Sequence, residues 1–255
     1  MSARDELRRT VALGCAVLGA EGQGDLIWGH VSARDPDGGG IWMKAAALGF
    51  DEVGSDDVLL VTADGEIAHG DGRRHVEYPI HTEIVAARPD VNAAVHTHAV
   101  HAVAFGSLGV PLRPVSHEGT LFVPPDIARF TRTADLIVTP ELGREVAAAI
   151  GDRNALLLVN HGVVTVGPDV PTAVMTAVVL ERACRTQLLA MAAGDPSRWS
   201  DDEEALAKRE HCFSPTQVEQ AWAYLVRRLA RDDRDGPPGR LRDGADEWSD
   251  GPTSS

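Results

Sequence analysis

The chain has 255 residues, 44% of them hydrophobic, with a formal net charge of −14 and a pI near 5.1. One large domain with a full core is the simplest architecture for that length and composition. The acidic balance argues against a nucleic-acid binder or a binder of anionic membranes, both of which need a basic face. It leaves room for a small anionic substrate held by a metal and a few local cations.

Cys15, Cys184 and Cys212 are scattered and lack C-x-x-C spacing, which predicts a reduced, cytoplasmic protein. The charged start M-S-A-R-D-E-L-R-R-T has no apolar core of a signal peptide, and no uncharged apolar run reaches the ~18 residues of a membrane span. Residues 4–21 read as a helix, with Leu7, Val11, Cys15 and Leu18 on one face and Gly22 and Gly24 ending it. L-I-W-G-H-V-S-A-R-D-P is strand-like, broken at Gly29-His30. After the turn D-P-D-G-G-G, I-W-M-K completes a hairpin. V-L-L-V-T is a buried strand that turns through A-D-G-E into I-A-H-G.

Pro79 to Arg88 reads as a helix with Ile80, Ile84 and Val85 as its apolar stripe. V-N-A-A-V-H-T-H is a strand, Ala99–Ser107 a helix, V-P-L-R-P-V the start of another strand, and 116–138 irregular. Thr139-Pro140 opens a helix through Ile150, with Thr139 as N-cap. A-L-L-L-V-N-H is a central strand, and the long apolar helix over 170–193 predicts burial in the core or against a second subunit. A charged stretch over 200–211 precedes a last amphipathic helix capped by Ser214. Together these elements predict a single catalytic domain over residues 1–231, a mixed α/β sandwich. The Gly-, Pro- and charge-rich stretch 232–255 reads as an unstructured acidic tail.

His96 and His98 are one residue apart in a strand, so both imidazoles emerge on one face and can grip one cation. His161 stands at the end of another apolar strand, between Asn160 and Gly162. It can close a facial three-nitrogen site with an open coordination position. The bland alternative is a set of ordinary surface or core histidines. Against it, all three stand at polar breaks just after apolar strands, at the rim of a sheet. Three imidazoles suit Zn²⁺ first, and also Mn²⁺, Fe²⁺ or Co²⁺. Glu77 is the candidate acid/base, although a Glu at a helix start is also favoured by the dipole alone. His81, four residues on, reads as a group orienting Glu77, a support to the site, or a core histidine. His30, Ser32, Lys44, Arg74 and His117 are the candidate substrate-binding residues. Lys44 and Arg74 would pair with a carboxylate as a point charge and a fork respectively.

Four stretches, G-H-V-S-A-R-D-P, V-E-Y-P-I-H-T-E, R-P-D-V-N-A-A-V-H-T-H and V-N-H-G-V-V-T-V-G-P-D, resemble the class II aldolase/adducin family. The resemblance covers about residues 6–195 and implies a three-layer α/β/α sandwich with a central, mainly antiparallel sheet. It also implies a homotetramer with active sites at subunit interfaces, a divalent cation on His96, His98 and His161, and Glu77 as acid/base.

The departures carry information. Where sugar-phosphate members have Ser-Ser before the Glu, this chain has His75-Val76, and His30 replaces the usual Asn. Lys44-Ala45-Ala46-Ala47 replaces a Thr/Ser-rich loop, and Ser116-His117-Glu118 stands where the aldolases have a tyrosine proton donor. A phosphate needs several N–H and O–H donors, most of which are lost. The pattern is most similar to the branch of aromatic-acid decarboxylases. That implies a metal-dependent carbon–carbon lyase acting on a hydroxylated, 3,4-dihydroxyphthalate-like acid. The alternative is an aldolase or epimerase acting on a sugar-like hydroxy-carbonyl substrate.

Overall fold

The computed structural model describes residues 2–235. Eight strands form one sheet: β1 (His30–Arg34), β2 (Ile41–Lys44), β3 (Val58–Val61), β4 (Ile67–His69), β5 (Ala93–Thr97), β6 (Ala128–Phe130), β7 (Ala155–Leu158) and β8 (Gly162–Gly167). Their order is β4-β3-β2-β1-β5-β8-β7-β6. Every neighbouring pair is antiparallel except β6 and β7.

The central strands are buried on both faces, which requires cover on both sides, whereas the edge strand β4 is exposed. Val31, Ala33, Trp42, Val58, Leu60, Ala93 and Val95 share one core. It is covered by α1 (Ala3–Leu18), α5 (Val170–Ala193) and α7 (Pro215–Asp235) through Val11, Cys15, Leu18, Val174, Val178 and Trp222. The intervening residues Ile41, Met43, Leu59, Val61, Ala94 and Val164 face the opposite way. There α2 (Tyr78–Ala87) and α4 (Pro140–Ile150) supply Ile80, Ile84, Val146 and Ile150. The result is the three-layer sandwich. A third cluster, around Phe105 of α3 (Val100–Gly106), Leu157 and Cys184, fills the end under α5.

Several local expectations are corrected. Residues 110–115 form no strand, and Leu112 is instead held by its backbone N–H to Asp126. The irregular stretch contains a single 3₁₀ turn, Glu118–Leu121, and the short β6, whose parallel pairing with β7 no local pattern announces. The run ending at His161 is strand only as far as Leu158, because Asn160 takes a left-handed φ of 61° and turns the chain back into β8. The charged segment is a helix, α6 (Asp202–Cys212), capped by Asp201 onto the N–H of Glu204. The first helix continues into a π-helical turn, Gly19–Gln23, which Gly22 closes with a φ of 75°. The predicted tail lies outside the described residues except for 232–235, which extend α7. No helix of the described residues is long and apolar enough to cross a membrane.

Candidate metal centre and active site

Strand register builds the site. In the β1–β5 ladder His30 lies opposite His96 and Ser32 opposite Ala94, so His30, Ser32 and His96 emerge on one face. That face is covered by α2, which brings Glu77 and His81. His98 follows the end of β5, and His161 sits in the turn from β7 to β8, its N–H bonded to the Leu158 carbonyl at 3.0 Å. Gly162 makes the approach possible. A Cβ there would lie 2.8 Å from both His96 Cε1 and His98 Cδ2, and 2.7 Å from the Thr97 carbonyl.

The coordinating atoms of His96, His98 and His161 all lie within 4.8 Å of one another. Their surroundings fix which nitrogens face inward. His96 Nδ1 is 2.9 Å from the Val163 carbonyl, an acceptor only, so Nδ1 carries the proton and Nε2 a lone pair. His98 Nδ1 likewise donates to the Asp25 carboxylate at 2.8 Å. The two Nε2 atoms then face each other across 3.1 Å, both as acceptors. Two lone pairs at that distance repel unless a cation lies between them. Two imidazoles on a tetrahedral Zn²⁺ would stand about 3.3 Å apart, from bond lengths of about 2.0–2.1 Å. His161 adds two buried ring nitrogens with no hydrogen-bond partner. The donor set therefore fits a divalent metal, with carboxylate and carbonyl supports behind the ligands, as metal-bound imidazoles need. Burial holds His96 well below its ordinary pKa, so protons do not compete for its Nε2 at neutral pH.

Glu77 is the N-cap residue of α2, yet its side chain makes no cap hydrogen bond. It turns inward instead and is buried. Oε1 accepts the Ile137 N–H at 2.8 Å and lies 3.6 Å from His161 Nε2. Oε2 lies 3.8 Å from His96 Nε2 and 3.9 Å from His30 Nε2. Burial pushes the carboxyl up, but His161, His30 and His96 more than offset this and hold it well below the usual carboxylate range. Glu77 is thus a buried carboxylate beside the three-His site, not a solvent-facing residue placed by the helix dipole alone.

Behind it is a buried basic region. His30 Nδ1 is 2.6 Å from His81 Nε2, and His81 Nδ1 is 2.7 Å from Ser32 Oγ. His81 therefore serves His30 and Ser32 and makes no hydrogen bond to Glu77. Lys44 is fully buried, its Nζ 3.1 Å from the Ala45 carbonyl, 3.4 Å from that of Ile27 and 3.2 Å from His75 Nε2. Burial, then the charge of Lys44, lowers His75 to about 4. The His75 ring packs on His30 at 4.6 Å. His30, Ser32, Lys44 and His75 thus adjoin the metal site.

Two predicted substrate residues are placed elsewhere. The Arg74 guanidinium is tied to the carbonyls of Gly65 and His75 and stacks on Tyr78 at 4.1 Å. Its fork is committed to its own fold. His117 lines a separate cavity of about 340 Å³ with Met175, Arg182, Cys212 and Phe213, 3.7 Å from Cys212 Sγ. Arg34 clamps the carbonyls of Val85, Arg88 and Val91. Asp25 was missed from sequence. It stands more than seventy positions from its partner His98, and no spacing rule connects them.

The comparisons agree with this geometry. A 3,4-dihydroxyphthalate decarboxylase of Rhodococcus jostii is 34% identical over 213 residues, covering 76% of this chain and 86% of the relative. Decarboxylase NovR of Streptomyces niveus is 32% identical over 189 residues, 73% of this chain and 70% of the relative. Among solved structures, an L-fuculose 1-phosphate aldolase from Glaciozyma antarctica superposes with a TM-score of 0.79 at 26% identity, covering 92% of this chain and 93% of that one. The family model for the class II aldolase and adducin N-terminal domain matches residues 9–188, and the chain belongs to that family.

Proposed function

We propose that the protein is a metal-dependent carbon–carbon lyase that decarboxylates a hydroxylated aromatic acid of the 3,4-dihydroxyphthalate type. The observation that carries the metal is the pair of inward lone pairs on His96 and His98 at 3.1 Å. A divalent cation on His96, His98 and His161, proposed as Zn²⁺, would supply Lewis acidity to substrate oxygens as charge develops. The residues do the rest. Glu77, held anionic, takes the phenolic proton of the bound acid. The C–C bond to the carboxylate breaks, its electron pair stays with the ring, and CO₂ leaves. Glu77 then returns the proton to that ring carbon.

A remaining carboxylate is held in the basic region of Lys44, His75 and His30. The support for this assignment is the replacement of hydroxyl groups by buried nitrogen donors there, together with the two decarboxylase relatives. The proposal takes the protein as a cytoplasmic homotetramer with interfacial sites, its three cysteines unpaired. In such an assembly His117, seated in a different cavity of its own chain, would serve a neighbouring subunit. Arg74 keeps a supporting role only, under Tyr78.

The test is CO₂ release from hydroxylated phthalates and benzoates by protein loaded with Zn²⁺, Mn²⁺ or Fe²⁺. Dihydroxyacetone phosphate with aldehydes forms the control set. Release abolished by chelator and by His96→Ala supports the reading. Aldol cleavage or synthesis without CO₂ replaces it by the aldolase reading, which the family's sugar-phosphate members favour.

A further inference from the structure

We propose that Ser32 and His81 are positioning residues that fix His30 as an N–H donor to a substrate oxygen, rather than a fourth metal ligand. The inference rests on the lyase reading for its substrate, but on geometry for its polarity. His30 could serve either way. With a lone pair on Nε2 it would join Glu77 and His96 as a second possible cation site, since those three residues also bring their ligand atoms within 4.8 Å of one another. With a proton on Nε2 it would be a donor.

The chain of contacts behind it decides. Ser32 is fully buried, and its hydroxyl has one hydrogen-bond neighbour among the described residues, His81 Nδ1 at 2.7 Å. If His81 Nδ1 carried a proton, toward Ser32 or the nearby Ala94 carbonyl, the Ser32 hydroxyl proton would have no acceptor. Leaving a buried donor unmade costs more than an average hydrogen bond contributes. So Ser32 donates to Nδ1, and the neutral His81 carries its proton on Nε2.

That proton points at His30 Nδ1, 2.6 Å away, which must accept it. His30 then carries its own proton on Nε2. This atom is buried and has no hydrogen-bond partner, and it lies 3.9 Å from Glu77 Oε2, too far for a direct hydrogen bond. Three side chains from β1 and α2 thus transmit one choice: a hydroxyl on the sheet sets a donor on the far ring. The acceptor it lacks is an oxygen arriving beside the three-His site, such as the carboxylate or phenolate of the substrate. A preorganised donor at an oxygen that gains charge contributes to the transition state more than to binding.

The experiment uses ¹⁵N-histidine-labelled, Zn²⁺-loaded protein and long-range ¹H–¹⁵N correlation, with His30→Gln to assign the His30 signals. His30 and His81 are expected as Nε2–H rings, against the Nδ1–H pattern of His96 and His98. Ser32→Ala should let the pair reverse, and Ser32→Thr, which keeps the hydroxyl, should retain the wild-type pattern. A wild-type His30 with its proton on Nδ1 overturns the proposal, as does a pattern unmoved in Ser32→Ala. Loss of bound zinc in His30→Gln would make His30 a ligand and overturn it too. With an accepted substrate, Ser32→Ala should lower kcat about tenfold with KM within about twofold and zinc content unchanged, and Ser32→Thr should restore kcat. Absence of CO₂ release in wild type with the expected ring pattern overturns the decarboxylase reading and leaves the donor assignment standing.

Discussion

Gly162→Ala tests whether the His96 and His98 rings hold the metal where the structure puts them. Gly162 is outside the positive-φ glycines, so alanine meets no backbone strain there and the effect is contact alone. The new methyl would stand 2.8 Å from a carbon of each ring and 2.7 Å from the Thr97 carbonyl, against the 3.4–4 Å of ordinary contact. The carbonyl cannot retreat, because Thr97 and Val163 are partners in the β5–β8 ladder. The rings must therefore absorb a shortfall of about 0.6 Å, and metal–ligand distances tolerate about 0.2 Å. Removing a single supporting contact typically costs 10–100-fold in metal affinity. Displacing two ligands at once should reach the upper end, about 100-fold, or ~2.7 kcal/mol. Chelator competition with Zn²⁺ measures it, and urea unfolding in excess chelator separates this loss from overpacking, which costs about 1–3 kcal/mol. Affinity within about threefold of wild type in a folded variant would refute the reasoning, since the rings would then either have room to yield or not be ligands.

Glu77→Gln should leave metal content intact and lower turnover at least ~100-fold, the usual scale for an acid/base group; normal turnover removes Glu77 from the mechanism. Asp25→Asn removes the charge behind His98 and should weaken metal binding about tenfold, read by the same competition assay; unchanged binding would show that Asp25 merely anchors its loop. The buried imidazoles also predict acid lability. His75 and His81, lowered to about 4 and about 3 by burial first, stay neutral in the folded protein where the unfolded chain, near its ordinary 6.5, takes up protons. Stability of the chelator-treated protein should then be full above about 6.5 and fall as pH drops toward about 4. The loss is about 2 kcal/mol per ring at about pH 5. Urea midpoints across that range check it, and a flat profile would mean the rings are solvated.

What the sequence revealed was what alternation and turn chemistry can carry. His96 and His98 share a face because strand side chains alternate, and His161 stands at the end of an apolar strand between Asn160 and Gly162, so the grouping of the three histidines was legible from local pattern. The strand predicted from A-L-L-L-V-N-H stops at His161 and leaves no element assigned to G-V-V-T-V-G, which is β8 and pairs with both β5 and β7. β6 escaped as well: three residues, Ala128–Phe130, gain their strand identity only from pairing with β7. His30 and Ser32 stand beside the three histidines because the register of β1 against β5 leaves them little freedom. The partners of Arg74 were not legible, because a long side chain chooses them in space, here Tyr78 and two carbonyls. Asp25 depends wholly on a long-range contact.

The local electrostatics explain how so acidic a protein can take an anion. The chain carries −14 overall, but the site collects imidazoles that burial keeps neutral: His30, His75, His81 and His96 all lie below their ordinary range. Neutral rings add no charge of their own, and His96 keeps its inward lone pair for a cation instead of a proton. Within the cluster Glu77 and, behind His98, Asp25 bring two negative charges, which a bound divalent ion would balance, so Lys44 makes the pocket net positive. Distant surface carboxylates are screened over about 8–10 Å of salt solution, whereas the buried charges act in a medium that screens them far less. A further acidic group inside would cancel this. Placing an acid at His75 instead would put an anion beside Glu77 and Lys44, and that change should abolish binding of an anionic substrate while sparing the three-His site.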